Sequence, residues 1–167
     1  METCFVPGRD VRGFVAANAA EGSPGLVPGP IRDRSGRELG RHTGLASYTV
    51  GQRSGLGLSG PEPRFVVRLD PADNSVIVGG ADEVWSSSII AGALTWTGQT
   101  PSGPLRADVR IRHRHAPASA SVEPRPDNTI KIVFDAPQRA PAPGQAAVLY
   151  SGDEVLGGGT ILRRDDA

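Results

Sequence analysis

The stretch IIAGALTWTGQTPSGPLRADVRIRHRH, residues 89–115, decides the fold. It holds two runs of strand-forming residues, 89–96 and 105–115, separated by a short segment rich in glycine, proline and polar residues. Similar runs follow at Ala118–Glu123, Thr129–Phe134, Ala146–Tyr150 and Glu154–Leu162. Because these six runs leave no room for crossover helices, the pattern predicts a six-stranded antiparallel β-barrel.

The chain before the barrel predicts a smaller, mixed and β-rich domain. Its predicted elements are a helix (Asp10–Ala20), a short strand (Ile31–Asp33), a helical turn (His42–Tyr48) and a hairpin (Phe65–Asp70 with Ser75–Gly79). The segment Pro71-Ala72-Asp73-Asn74 is strong turn chemistry between the hairpin strands. We therefore predict a mainly β protein with two domains, residues 1–82 and 83–167.

Composition excludes several classes of protein. The 167 residues carry 18 basic and 18 acidic side chains, so net charge does not indicate a nucleic-acid partner. The basic residues are 17 arginines and one lysine, Lys131. No apolar run approaches the roughly 18 residues of a membrane span, and a single cysteine, Cys4, excludes an internal disulfide framework. We expect a cytoplasmic protein without membrane contact.

The segment 108–115, DVRIRHRH, is the strongest charged motif. If it continues as a strand, its period of two places Arg110, Arg112 and Arg114 on one face. Arg106 lies nearby and Asp108 is the acid opposing this strip. Guanidinium groups match phosphate oxygens, so the strip is a candidate phosphate-binding surface; the alternative is a solvated outer face.

Two other segments are candidate sites, each with a plain structural alternative. Cys4 is either a small buried side chain or a thiolate activated by Arg9 and the start of the predicted helix. The glycine-rich segment 51–57, GQRSGLG, is either an ordinary structured loop or an active-site loop with Gln52 and Arg53 as donors.

Metal and nucleotide motifs are not predicted. Cys4 and the histidines at positions 42, 113 and 115 do not match a known metal-ligand spacing. The triplet 157–159, GGG, lacks the Lys-Ser/Thr of a phosphate loop and fits a turn or bulge in the last strands. We therefore expect neither a metal nor a cofactor in this chain.

Taken in order, several motifs resemble one family, the tRNA-specific 2-thiouridylases. The most specific is 48–57, YTVGQRSGLG. The others are Cys4-Phe5-Val6, Gly13-Phe14, Gly29-Pro30-Ile31, Leu39-Gly40-x-His42-x-Gly44, Phe65-Val66-Val67, Asn74-x-Val76-x-Val78-Gly79, Pro143–Tyr150 and Val155–Ile161. The resemblance extends over residues 2–162 and concerns the family's central and C-terminal domains.

The resemblance implies an enzyme that adds sulfur to carbon 2 of the wobble uridine of tRNA. An N-terminal ATP-pyrophosphatase domain, with ATP and Mg, adenylates the uridine, and a sulfur-relay protein supplies a persulfide. Cys4 matches the persulfide-carrying cysteine, and the barrel is similar to one in elongation factors. Arg112, His113 and Gln145 match tRNA-contacting positions, which extends the expected surface to Arg110 and Arg114.

The Ser-Gly-Gly-x-Asp-Ser loop of the ATP domain and the family's first catalytic cysteine do not occur in this sequence. We therefore expect that the chain does not catalyse alone, as a fragment, a truncated product or one half of a split enzyme. Two alternatives stay open: a non-catalytic RNA-binding module, and a protein-interaction module with an exposed former domain interface.

Overall fold

In the computed structural model, residues 11–20, 23, 25–113 and 116–165 are described. The chain divides into two compact units, the first up to Val84 and the second from Trp85 onward. Cys4 and Arg114, both candidate site residues, lie outside the described residues, as does the predicted cap Asp10.

The first unit contains a helix, a four-stranded sheet and two short 3-10 helices. The helix α1 covers Val11–Asn18, and the 3-10 helices cover Leu45–Ser47 and Asp82–Val84. The strands are β1 (Gly29–Arg32), β2 (Glu38–His42), β3 (Phe65–Asp70) and β4 (Ser75–Gly79). Their order is β2-β1-β4-β3, with β1 and β4 parallel and the other neighbours antiparallel.

The core of the first unit is small. Its buried residues are Ile31, Leu45, Leu56, Val66, Val76 and Val78. β3 and β4 form the predicted hairpin with the predicted bounds, because Asp70 accepts bonds from the backbone N–H groups of Ala72 and Asp73 across the turn.

Polar contacts around His42 tie this unit together. The ring is 1 % exposed; its Nε2 donates to the Asn74 carbonyl oxygen at 2.9 Å, and its Nδ1 accepts from the Gly44 N–H at 3.1 Å. Asn74 has a positive φ of 46° and donates from Nδ2 to the carbonyl of Pro28 at 3.2 Å. His42 is therefore a buried structural side chain that joins the end of β2 to the β3–β4 turn.

The second unit is a closed barrel of six antiparallel strands, as predicted. The strands are β5 (Trp85–Trp96), β6 (Leu105–Arg110), β7 (Ala118–Pro124), β8 (Ile130–Arg139), β9 (Ala146–Ser151) and β10 (Glu154–Arg164), in the order β10-β5-β8-β7-β6-β9. Alternating side chains fill the interior, among them Ile89, Val109, Ile132, Leu149 and Ile161, each at most 1 % exposed.

The glycine triplet in β10 forms bulges, as predicted. The pairing register shifts between Val155 and Gly157 on one side and between Gly158 and Thr160 on the other. A Cβ at Gly158 would lie 2.6 Å from the Ala147 carbonyl oxygen, and one at Gly159 would lie 2.5 Å from that of Gly92. These residues are glycines because neighbouring backbone occupies the space of a side chain.

The strand predictions are wrong in four places. β2 was not predicted, β5 begins at Trp85 and not at Ile89, β6 ends at Arg110 and not at His115, and β8 ends at Arg139 and not at Phe134. The polar run 86–88 obscures the start of β5, in which Ser86 and Ser88 are nevertheless buried. The end of β6 matters most, because it removes the predicted three-arginine strip.

Candidate functional site

The end of the barrel at which β6 finishes and β9 begins carries several of the predicted residues. β6 and β9 are antiparallel, with Val109 opposite Leu149 and Arg110 opposite Val148. Residues that follow Arg110 therefore lie at the same barrel end as residues that precede β9. This register brings the segment with Arg112 and His113 to the end that also holds Gln145, although they are far apart in sequence.

Arg110 is the last residue of β6 and packs on an aromatic ring. Its guanidinium carbon lies 5.4 Å from the centroid of the Tyr150 ring on β9, a cation–π contact. Its Nε is buried and has no hydrogen-bond partner among the described residues. The ring supports the charged group and leaves part of its hydrogen-bonding capacity unused.

Arg112 lies beyond the end of the strand and turns toward the chain after β8. Its Nη2 donates to the carbonyl oxygen of Ala140, a fully buried residue with a positive φ of 52°. Burial lowers the pKa of the Arg112 guanidinium, and the charge of Arg139 lowers it further. Its Nε has no partner among the described residues. A partly desolvated cation beside a second cation favours the approach of an anion.

Gln145 occupies the turn that leads into β9. Its backbone is fixed, because its carbonyl accepts from the Ile161 N–H at 2.8 Å and its N–H donates to Ala142 at 3.2 Å. Its side-chain Oε1 is buried without a hydrogen-bond partner in the described part of the chain. The fixed backbone sets the point from which the side-chain amide extends, and its unused acceptor suits recognition of a donor.

The predicted arginine strip is not formed as predicted. Arg112 leaves the strand after the buried Ile111, His113 is exposed beyond it, and Arg114 lies outside the described residues. Arg106, which was expected to lie near the strip, pairs with Asp135 on β8, and Asp108, the acid expected to oppose the strip, accepts from the Ser119 hydroxyl at 2.7 Å. The cations Arg110, Arg112 and Arg139, here called the cationic barrel end, therefore lie at the end of a strand and not along one strand face.

The loop with Gln52 and Arg53 belongs to the first unit and is rigidly built. The Gln52 side chain is engaged within the loop: its Oε1 accepts from the Thr49 N–H at 3.0 Å and its Nε2 donates to the Ser54 carbonyl at 2.9 Å. The exposed Arg53 has no ion pair with any described residue. Gln52 thus has a structural role, and Arg53 is the side chain of this loop that faces solvent.

Sequence reasoning missed Tyr150, Arg139 and Ala140 at the barrel end. The turn at residues 152–153 sets the register of β9 and β10. Tyr150 could be placed near β6 only by assuming that the barrel closes, because closure makes β9 a neighbour of β6. The carbonyl of Ala140 carries no local signature, since Arg112 lies 28 positions away.

The glycine triplet of β10 does not form a phosphate-binding loop. The glycine triplet of β10 packs against neighbouring backbone, with Cβ positions 2.5 Å and 2.6 Å from carbonyl oxygens at Gly159 and Gly158, so it cannot cradle phosphates. Within the described ranges, no helix has the length and apolar character needed to cross a membrane.

Comparison with known proteins gives matches for both units. Residues 22–80 match the family model described as a tRNA methyl transferase PRC-barrel domain, and residues 86–161 match an aminomethyltransferase beta-barrel domain. The tRNA-specific 2-thiouridylase MnmA 1 of Syntrophus aciditrophicus is 48 % identical over 96 % of this chain and 41 % of its own length. The tRNA-specific 2-thiouridylase MnmA of Chloroflexus aggregans is 45 % identical over 97 % of this chain and 45 % of its own length. The chain thus spans less than half the length of these curated relatives.

Proposed function

The chain belongs to the tRNA-specific 2-thiouridylase family, over its central and C-terminal domains, and on that basis we propose that it is part of an enzyme that 2-thiolates the wobble uridine of tRNA. In this proposal residues 1–82 are the sulfur-carrying central domain, and residues 83–167 are the tRNA-contacting barrel. The proposed location is the cytoplasm.

The proposal divides the chemistry between this chain and its partners. ATP-dependent adenylation of the uridine is assigned to an ATP-pyrophosphatase domain, with ATP and Mg. A sulfur-relay protein loads Cys4 with a persulfide, whose terminal sulfur becomes bonded to carbon 2 as the activated oxygen leaves with AMP. The family's first catalytic cysteine, in the ATP-pyrophosphatase domain, then attacks the Cys4 sulfur, so that the persulfide S–S bond breaks, the sulfur stays on carbon 2 and a transient disulfide joins the two cysteines. A persulfide suits this step because it is more acidic than a thiol and therefore ionised at neutral pH.

The observation that carries the proposal is the cationic barrel end. Arg112 is partly desolvated and lies near Arg139, and Gln145 offers a buried acceptor without a partner among the described residues. RNA is bound mainly through its phosphates and through unstacked loop bases. A guanidinium suits the phosphate, and a fixed amide suits the edge of a base.

Binding of unmodified tRNA to the 167-residue chain tests the RNA part of the proposal. We expect salt-dependent binding that weakens in Arg112→Ala and Gln145→Ala, whereas Arg125→Ala, on the β7–β8 turn, serves as the charge control. Equal affinities of the wild type, Arg112→Ala and Gln145→Ala would contradict the assignment of this end.

The sulfur step is tested separately. With the ATP-pyrophosphatase domain, ATP, Mg and a persulfide donor supplied, Cys4→Ser should abolish 2-thiouridine formation and leave tRNA affinity unchanged. Undiminished thiolation by Cys4→Ser would refute the role of Cys4. If tRNA binds but wild-type chain gives no thiolation, the alternative of a non-catalytic RNA-binding module is favoured, since the cationic barrel end alone suffices for it.

A further inference from the structure

The first unit contains an arginine-lined cleft that the cationic barrel end does not involve. The cleft has a volume of about 670 Å³, and its lining includes Arg37, Arg53 and Arg64 together with Glu38 and Glu62. We propose that this cleft is a second RNA-binding site, which holds the phosphate backbone of tRNA. The proposal deepens the proposed function and rests on its assignment of tRNA as the ligand.

The walls of the cleft are fixed by the fold. β2 is an outer strand of the four-stranded sheet, and the loop after residue 55 passes over it. Leu56 is buried in the core, and Leu58 Cδ2 lies 2.8 Å from the place where a Cβ on Gly40 would be. Two leucines therefore hold the loop against the sheet, and the cleft lies between the loop and the start of β2.

Two of the three arginines, Arg37 and Arg53, reach the cleft from turns held by hydrogen bonds. Arg37 ends a turn in which the Asp33 carboxylate accepts from the N–H groups of Ser35 and Arg37. Arg53 follows Gln52, whose side chain is bonded on both sides within the loop, and the Gln52 carbonyl accepts from the Val66 N–H at 2.9 Å. Because their backbones are held in place, these arginines can bind a ligand at a smaller cost in conformational entropy.

The charge of the cleft is not cancelled within the described part of the chain. Arg37, Arg53 and Arg64 make no ion pair there, whereas Arg32, Arg34, Arg41 and Arg68 each pair with a carboxylate. Two acids belong to the lining. Glu38 lies 3.5 Å from Arg41, a residue that does not line the cleft, and Glu62 is exposed. The lining therefore holds three guanidinium groups against two carboxylates; Arg53 and Arg64 have no carboxylate partner among the described residues, and Arg37 interacts electrostatically with the Asp33 carboxylate beside its turn.

The other lining groups favour phosphate over bases. No described lining residue is aromatic, so the cleft offers no ring on which a base could stack. Gly57 and Gly60 have open space where a side chain would be, which leaves their backbone accessible to a ligand. Guanidinium groups beside accessible backbone suit phosphate oxygens. A site of this kind positions an RNA strand without recognising its sequence.

Binding of unmodified tRNA to the full 167-residue chain over a series of KCl concentrations tests the inference. We expect Arg53→Gln to weaken binding and to make the plot of log affinity against log salt shallower by about 1, with larger losses when Arg37→Gln and Arg64→Gln are added. Arg68→Gln is the matched control, because it removes the same charge from the same unit but pairs with Asp70 outside the cleft. It should leave the slope unchanged.

The outcomes separate the two proposals. If wild-type chain does not bind tRNA, the proposed function fails. If tRNA binds and Arg112→Ala weakens it, but the triple cleft variant behaves like Arg68→Gln, only the cleft inference is overturned. Competition with poly-glutamate supplies a further check. If poly-glutamate displaces tRNA from the wild type as well as unlabelled tRNA does at equal charge, and this displacement is lost in the triple cleft variant, the cleft binds an acidic protein surface and the RNA assignment is overturned.

Discussion

In the barrel, each of the six strands has a hydrogen-bonded neighbour on both sides, whereas the sheet of the first unit ends at β2 on one side and at β3 on the other. Among the described residues, the main cluster of buried apolar side chains has 13 members in the barrel and six in the sheet unit. The sheet compensates with polar contacts to backbone, through His42 and Asn74.

This difference explains where each unit presents its candidate binding groups. A closed barrel offers no strand edge, and its candidate binding cations, Arg110 and Arg112, lie at one end, where the chain leaves β6. The open sheet has an outer strand that a loop must cover, and the cleft with Arg53 forms where that loop passes over β2. The barrel end depends on the apolar packing of the barrel core, and the cleft depends on a few hydrogen bonds.

The largest expected effect is in the barrel core. Ile132→Ala removes a fully buried side chain, so we expect the free energy of unfolding to fall by about 2–5 kcal/mol. Both tryptophans, Trp85 and Trp96, lie on β5, so the change in tryptophan fluorescence during urea unfolding reports on the barrel. Leu162→Ala, at a residue 49 % exposed, should cost less than about 1 kcal/mol; equal losses would show that the interior is not what stabilises the barrel.

The second-largest expected effect tests whether the barrel needs the glycines of β10 in order to close. In Gly158→Ala the new Cβ would lie 2.6 Å from the Ala147 carbonyl oxygen, and we expect a loss of about 1–3 kcal/mol in the same fluorescence measurement. Gly103→Ala has open space around its Cβ and should stay within about 0.5 kcal/mol of the wild type. A neutral Gly158→Ala would mean that β9 and β10 can separate without loss of the barrel.

A smaller effect is expected in the sheet. His42→Ala leaves the Asn74 carbonyl and the Gly44 N–H without their partner, which should cost about 2 kcal/mol. Hydrogen exchange of the amides in β1 and β4 should become faster, while tryptophan fluorescence unfolding stays unchanged. The exposed His113→Ala is the control. Full stability of a His42→Phe variant would contradict the view that polar contacts, and not volume, hold this unit.

The smallest effect concerns an exposed ion pair on the barrel. The hydrogen bond from Arg106 holds the pKa of the Asp135 carboxyl below its usual value of 3.8. A lowered carboxyl pKa stabilises the fold above the unfolded value, and this contribution is lost as pH falls through the folded pKa. NMR titration should show the Asp135 pKa rising in Arg106→Gln, whereas the pKa of Asp127, held down by Thr129, should not move. An unchanged Asp135 pKa would mean that the pair is not formed in solution.

Local chemistry accounts for the parts of the fold that sequence could predict. The β3–β4 hairpin follows from turn residues such as Asp70, whose side chain bonds to the turn backbone itself. The barrel follows from regular runs with short turns. In contrast, β2 contains a glycine and three charged or polar residues in five, ELGRH, and becomes a strand by pairing with β1. Tertiary pairing of that kind leaves no periodic pattern.

The candidate site was predictable only in part, for a similar reason. Arg112 and Gln145 were identified by resemblance, but the end of β6 was not, because the alternation of 108–115 continues past the point where the chain leaves the strand. Beyond the strand end, Arg112 donates to the carbonyl of Ala140, a residue 28 positions away with a left-handed backbone, and no local pattern announces such a contact. Likewise, Gln52 reads as a ligand donor in sequence, although its amide is used inside its own loop.

The glycine triplet of β10 has a consequence for how the gene can vary. Any amino-acid replacement at Gly157, Gly158 or Gly159 adds a Cβ that meets neighbouring backbone within 2.6 Å. Substitutions in these three adjacent codons should therefore be costly to the fold, whereas the codons of Arg37 and Arg53 in the cleft encode exposed side chains whose exchange should leave the fold intact. Selection on binding can thus act independently of selection on folding.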